Sequence, residues 1–465
     1  MSGRAATESG VDVFDVIVIG AGPGGENVAG RCADGGLSVA IAERELVGGE
    51  CSYWGCIPSK TLLRPGDVVA TARRVPGAAA ATAGSIDVAA ALARRDEATN
   101  SWDDTSMLSW LDDRHIRLVR GRARLTGKCT VDVDGRALEA RRAVVVATGT
   151  RAAMPPIPGL GDVRPWDNRD ATAAKEIPRR LLVLGGGGVG VEMAQAFRRL
   201  GAEAVTVVEG GDRLLAREEP FAGEEVRRAF GDEGIDVLTG LSMTMVERDS
   251  SDDAVRATLD DGRVLIGDEL LVAVGRRPKT DDLGLERVGL KPGSYVEVDD
   301  QLRATNVKDG WLYAVGDCNG RALFTHMAKY QARIAADVIL GKDARATAPV
   351  PRVTFTDPQV CAVGLTEAEA RAAGIATRVV NVPISEVAAA FIEGVGVNGT
   401  SQLVVDEERR LVVGATFTGP GISELLHSAT VAIAGEVPLD RLAQAVPSFP
   451  TVSEVWLRLL ESLGY

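Results

Sequence analysis

The apolar positions of this chain fall into short runs separated by glycine turns, and one arrangement of runs occurs twice. Residues 15–43 read DVIVIGAGPGGENVAGRCADGGLSVAIAE. The opening Val/Ile run is apolar at successive positions, which predicts a parallel strand buried on both faces. A glycine turn and a helical stretch follow, then a second strand, LSVAIAE, ending in Glu43. Residues 180–209, RLLVLGGGGVGVEMAQAFRRLGAEAVTVVE, repeat the order and end in Glu209. Two further runs match each other, VVVATG at 144–149 and LLVAVG at 270–275, and each is predicted as a late strand of its own unit. The class predicted is α/β, with two Rossmann-like dinucleotide-binding domains.

The glycines give these turns their chemistry. Gly20 permits the tight exit from the strand, Gly22 lets backbone approach a pyrophosphate, and Gly25 lets helix and strand pack closely. The helix N-terminus offers free N–H groups and the positive dipole end to phosphate. Glu43 stands 18 residues beyond Gly25 (43 − 25), where a carboxylate can accept a hydrogen bond from a ribose hydroxyl. Gly185, Gly187, Gly190 and Glu209 repeat the set. Two such sites imply two dinucleotides, and the natural pair is FAD with NAD(P)H. Glu209 suits the 2′-OH of NAD and repels the 2′-phosphate of NADP, so NADH is expected to be preferred.

Between the repeats lies GGECSYWGCIPSK, with Cys51 and Cys56. That spacing alone commonly belongs to two unrelated cysteines. In a regular helix, residues five apart have Cα atoms about 8–9 Å apart, and a disulfide needs less than about 7 Å. The pair can bridge only if the stretch is irregular. Gly55 and Pro58 supply the means, since proline fits the first turn of a helix starting near Cys56. A helix N-terminus favours a thiolate there, making Cys56 the candidate thiolate and Cys51 the candidate for meeting substrate.

With these motifs in hand, the chain resembles the flavoprotein disulfide reductases, the pyridine nucleotide-disulfide oxidoreductase family of dihydrolipoamide dehydrogenase, glutathione reductase and mercuric reductase. The resemblance runs from residue 15 to about residue 459 and follows the family's order. The first glycine fingerprint, GGxCxxxGCIPSK, ATG, the second fingerprint, VGRRP at 274–278, AVGD at 314–317 and FTDPQVCAVGLTEAE at 355–369 succeed one another. It implies that Gly20, Gly22, Gly25 and Glu43 hold the ADP half of FAD, and that Asp317 bonds its ribityl or pyrophosphate part. A helix beginning near Leu323 would point at the flavin. Cys56 would be the thiolate beside the flavin and Cys51 the interchange thiol. Lys60 and Glu192 would pair where hydride arrives, and His326 would lie near the flavin or pack. Arg44, Gly49, Thr148, Gly149 and Gly275 are added as cofactor contacts. The resemblance also implies a C-terminal α+β dimerisation domain and a two-fold homodimer. Residues 1–153 and 275–348 would form the FAD domain, 154–274 the NAD(P) domain and 349–465 the interface domain, with PPIPG at 155–159 as the linker.

Two departures matter. The family's disulfide-reducing members carry a C-terminal His-Pro-Thr-x-Ser-Glu; here the segment is SFPTVSE, with Phe449 at the histidine's place and Glu454 retained. Positioned acid–base help contributes about 10²–10⁴ in rate, or roughly 3–5 kcal/mol, so an efficient dihydrolipoamide dehydrogenase is not expected. Glu454 remains as the candidate for proton transfer. Glu50 stands where threonine is usual, and Tyr53 and Trp54 replace smaller residues between the cysteines. The expected acceptor is a disulfide or similar small molecule; a quinone-type acceptor is the alternative, and a partner subunit of a multienzyme complex is a third reading. The sequence ends SEVWLRLLESLGY without a second cysteine pair, so mercury is not expected as the acceptor.

Composition narrows the partners. A net charge of -13 disfavours nucleic acid. No apolar run approaches the roughly 18 residues needed to span a bilayer. The N-terminus lacks the pattern of a secretory leader, and its first ten residues read as a loose tail. Six cysteines do not make a disulfide scaffold in a chain of 465 residues, so the cytoplasm is expected. Cys32, Cys129, Cys318 and Cys361 stand alone and are expected to be buried bystanders. His115 is expected to be solvated and His427 to lie on a C-terminal helix. No metal site is expected.

Overall fold

The computed structural model describes residues 11–249 and 251–465; the expected N-terminal tail lies outside the described residues. The chain forms two compact units. Among the described residues, the first comprises 11–58, Asp96–Ala152 and Arg276–Thr347, and the second Ser59–Arg95, Ala153–Gly275 and Ala348–Tyr465.

The first unit is built on a seven-stranded sheet. Asp12–Ile19 lies at its centre, parallel to Val39–Glu43 on one side and to Arg136–Val146 on the other. Leu312–Ala314 pairs in parallel with the end of Arg136–Val146, at Val144 to Val146. Both faces of the central strand are covered. Val16 and Val18 enter one core with Val28 of helix Pro23–Asp34 and Ala332 of helix Thr325–Ile339. Ile17 and Ile19 enter the other, with Leu125 and Leu138. This two-sided burial is why the strand reads as an unbroken apolar run.

In the second unit, a four-stranded parallel sheet runs Ile235–Thr239, Ala204–Glu209, Arg180–Leu184, Glu269–Val272. An antiparallel sheet of Met243–Arg248, Val255–Leu259 and Val264–Gly267 accompanies it. The C-terminal part is a five-stranded antiparallel sheet whose core takes in Phe417, Ala429 and Trp456 from strand Leu411–Gly419 and helices Leu426–Ala434 and Val455–Leu463. These layers give the α/β class with a C-terminal α+β domain.

Residues 59–95, which the sequence reading assigns to the FAD domain, pack with the second unit instead. Leu62, Leu63 and Ala91 share a core with Val183, Val191 and Phe197. Arg95, fully buried, donates to the carbonyls of Thr172 and Ala174. No helix among the described residues is long and apolar enough to cross a membrane.

Candidate functional site

The two glycine turns have nearly the same backbone. Gly20 leaves its strand at φ 101° and Gly185 at φ 111°, a region costly to residues with a Cβ. A Cβ on Gly25 would meet the Gly20 carbonyl oxygen at 1.9 Å, and one on Gly190 the Gly185 oxygen at 2.0 Å. Helices start directly after Gly22 and Gly187, as Pro23–Asp34 and Gly188–Arg199. The strand-end glutamates act alike in a way the sequence did not reveal. Glu43 accepts from the Ala21 and Glu45 amides, each at 2.7 Å. Glu209 accepts from those of Gly186 and Gly211, each at 2.6 Å. Each carboxylate ties its strand end to the glycine turn. Arg44 is exposed, with Glu45 4.0 Å away.

Around the first turn the polar groups suit a dinucleotide. A Cβ on Gly49 would lie 2.7 Å from the Gly22 Cα, so the two turns form a cradle only a bare backbone can line. The buried Thr148 hydroxyl has no protein partner, and Gly149 follows it at φ 68°. Desolvation raises the half-buried Asp317 carboxyl above the usual range, and it accepts from the Thr150 hydroxyl at 2.8 Å. An orphan hydroxyl, a bare cradle and a carboxylate match the pyrophosphate and hydroxyls of FAD. Glu26, which the sequence reading passed over, stands in the first turn of the helix with one carboxyl oxygen buried and unpartnered. Burial pushes its carboxyl up to about 7.

The cysteines sit in the same unit. Helix Gly49–Tyr53 stops at Trp54, whose φ is -137°, and helix Cys56–Arg74 starts two residues later. The break supplies the irregularity the spacing demanded. Cys51 and Cys56 are separate thiols. The Cys51 thiol is raised far above the ordinary range, first by its hydrogen bond to Cys56, then by burial and by negative charge on Cys56. Cys56 Sγ lies 3.3 Å from the hydroxyl of Thr325, first residue of helix Thr325–Ile339. That helix starts two residues later than Leu323, because Phe324 is extended. His326 stacks on Phe324, with ring centroids 5.4 Å apart.

The start of the cysteine segment is held by two residues the sequence reading did not single out, Arg276 and Lys279. Glu50 lies 3.5 Å from Arg276 and 3.6 Å from Lys279. Arg276 also donates to the Thr150 hydroxyl at 2.6 Å, linking Glu50 to the Asp317 group. The VGRRP motif was the available signal for Arg276. Tyr53 is buried, and its hydroxyl donates to the Val47 carbonyl at 3.1 Å. It therefore packs inward.

In the second unit, Lys60 and Glu192 form the expected ion pair at 2.7 Å. The other Glu192 oxygen accepts from the Phe355 amide at 2.9 Å, and the Lys60 ammonium lies 5.0 Å from the centre of the Phe355 ring. Gly275, at φ 133°, has open space where a Cβ would stand. Glu454 is buried; one oxygen accepts from Arg458 at 3.2 Å and the other has no protein partner. Phe449 is 75% exposed. His427 lies on helix Leu426–Ala434 and His115 is exposed. Cys32, Cys318 and Cys361 are buried; Cys129 is only half-buried, in the turn between strands Ala123–Gly127 and Thr130–Val133.

Comparison with known proteins identifies the family. Residues 14–332 match the pyridine nucleotide-disulphide oxidoreductase family and residues 350–459 its dimerisation domain. A mercuric reductase of Lysinibacillus sphaericus is 31% identical over 95% of this chain and 81% of its own length. A dihydrolipoyl dehydrogenase of Thermus scotoductus is 34% identical over 97% of both chains. The solved structure of the HOCl-induced flavoprotein disulfide reductase RclA from Escherichia coli superposes with a TM-score of 0.84 at 26% identity, covering 96% of this chain and 99% of that one.

Proposed function

The chain belongs to the pyridine nucleotide-disulphide oxidoreductase family of FAD- and NAD(P)H-dependent oxidoreductases, and on that premise we propose that it carries electrons from NADH to the Cys51–Cys56 pair and on to a disulfide or similar thiol-reactive small molecule. FAD, when bound, supplies the two-electron carrier between nicotinamide and thiols. The residues assigned to hold it are Gly20, Gly22, Gly25, Glu43, Gly49, Thr148, Gly149 and Asp317, with Arg44 and His326 at the margin. Gly185, Gly187, Gly190, Glu209 and Gly275 are assigned to the nicotinamide nucleotide.

With the pair reduced, Cys51 attacks one sulfur of the substrate, and its proton goes to the sulfur that departs. A mixed disulfide forms and the first thiol leaves. The Cys56 thiolate then attacks Cys51 Sγ, closes the intrachain bond and releases the second sulfur as a thiolate. One disulfide is consumed, one thiol and one thiolate leave, the thiolate takes a proton from solvent, and the pair is left oxidised for the next NADH. The observation that carries this reading is the asymmetry of the thiols. The proton is held on Cys51 by its hydrogen bond to Cys56, while Cys56 lies at the start of its own helix and against the start of another. Both helix ends favour charge on Cys56.

Lys60 is assigned to the point where hydride arrives, with buried Glu192 aiming its ammonium through the 2.7 Å ion pair. Glu454, with an unpartnered oxygen, is assigned to proton transfer to the departing thiol in place of the missing imidazole. The dimerisation domain supports a homodimer. A cytoplasmic setting suits a close thiol pair.

A second reading, a quinone-type acceptor reduced without the thiols, is favoured by Phe449, whose ring cannot move a proton. Anaerobic titration with NADH separates the two. A broad long-wavelength absorbance band after two electrons supports the disulfide reading. Direct bleaching with an oxidised pair at the start supports the second and ends the first.

A further inference from the structure

The turn Asn100–Trp102, in the same unit as the cysteines, has an unusual backbone. Asn100, Ser101 and Trp102 stand at φ 49°, 50° and 59°, three consecutive residues with side chains in the left-handed region. Such residues visit that region singly, and a run persists only where its surroundings over-determine it. The surroundings here are specific. The Trp102 amide donates to the Thr99 carbonyl at 2.9 Å and that of Asp103 to the Asn100 carbonyl at 3.0 Å. The Asn100 side-chain amide closes the turn onto the Asp103 carbonyl at 2.8 Å.

The turn delivers one group to the redox segment. Trp102 Nε1–H donates to the carbonyl of Tyr53 at 3.0 Å. Tyr53 ends the short helix that carries Cys51, and helix ends leave over carbonyls that need donors. The next residue, Trp54, makes the break without which two cysteines five apart could not meet. The same stretch of chain grips the other end of the segment: Asp104 Oδ2 accepts from the Val47 amide at 2.8 Å. Tyr53 itself is anchored through its hydroxyl to Val47, and burial raises that phenol to about 12, so it stays a neutral donor at physiological pH.

We propose that Trp102 is a positioning residue for the Cys51–Cys56 pair: the left-handed turn holds its indole N–H on the Tyr53 carbonyl, and this fixes the helix break that brings the two thiols together. The proposal rests on the cysteine pair being the redox centre. It adds that the pair's geometry, and hence its redox equilibrium, is set from outside the CxxxxC segment.

The test is Trp102→Phe in the FAD-loaded protein, which keeps an aromatic ring and removes the donor. FAD content and melting temperature should stay near those of the parent. The equilibrium of the pair with dithiothreitol, read by thiol alkylation without NADH, should move at least threefold. The long-wavelength band after two-electron reduction should fall by at least half. Trp102→His, which keeps a ring N–H, should restore part of both. A folded Trp102→Phe protein with the parent's equilibrium and spectrum overturns the proposal. So does failure of both variants to fold, since Trp102 would then be a fold residue. The dithiothreitol equilibrium needs no turnover, so it stays informative if Cys51→Ser retains full activity and the proposed function itself fails.

Discussion

The two nucleotide turns are near copies in backbone and unlike in surroundings. Both use a left-handed glycine, a glycine against a carbonyl oxygen and a glutamate folded back onto the turn. Around Gly22, a Cβ would have the Gly49 Cα 3.9 Å away, whereas Gly187 has nothing within 4 Å. After the third glycine, the first turn carries Glu26 and the second the fully buried Val191. The shared parts are those any pyrophosphate needs. Under the proposed assignment, the differences would suit an enclosed, polar site for a cofactor that stays and an open one for a nucleotide that comes and goes.

The largest expected effect isolates what only the first half carries. Cys51→Ser should lower disulfide turnover at least about a thousandfold, while rapid-mixing absorbance still shows NADH reducing the flavin. Undiminished turnover would remove the pair from the electron path. Alanine at the two close glycines tests the halves against each other. Forcing a methyl against a carbonyl oxygen costs about 1–3 kcal/mol, or about 5–150-fold in affinity. Gly25→Ala should shed FAD on gel filtration, whereas Gly190→Ala should stay yellow and raise the KM for NADH. If both lose FAD alike, the halves are not separately assigned.

A third test concerns Glu26. Its carboxyl is raised from 4.5 to about 7, first by burial, so the folded state binds this proton more tightly than the unfolded chain. Stability from this group is full below pH 4.5, falls as pH rises to about 7 and stays lost above it. Glu26→Gln should therefore raise stability at pH 8 by on the order of 2–3 kcal/mol and do little at pH 4.5. Equal gains in thermal melts at both pH values would contradict the assignment. The smallest effect is on nucleotide choice. Glu209→Gln removes the charge but keeps an acceptor for the turn, and should narrow the NADH over NADPH ratio of kcat/KM by about tenfold. A parent enzyme that favours NADPH would reverse the premise.

Much of this was legible in the residues because the constraints are local. A glycine fingerprint, a strand-end acid and a proline two residues after a cysteine each dictate geometry within one turn of backbone. Lys60 and Glu192 were legible through their motifs. What escaped depends on distant chain: Glu50 meets Arg276 and Lys279, and Trp102 meets Tyr53. The segment 59–95 reads as helical but not as belonging to either unit, because Leu62 and Leu63 are apolar in the same way whichever core receives them. Glu43 and Glu209 were read as waiting for ribose, although their first partners are the amides of their own turns.

The strand Leu312–Ala314 pairs with Val144 to Val146, and the polypeptide between them, residues 147–311, is longer than many whole domains. On a ribosome adding about 5–20 residues per second, roughly 10–30 s pass after Val146 is joined before its partner exists. During that interval Val144, Val145 and Val146 lack the partner that later covers them, and an uncovered strand edge is the kind of surface that recruits other strands. Production of this enzyme is therefore exposed to a kinetic hazard that its finished structure conceals. Slower translation through residues 147–311 would lengthen the exposure, and a chaperone that shields nascent strand edges would shorten it.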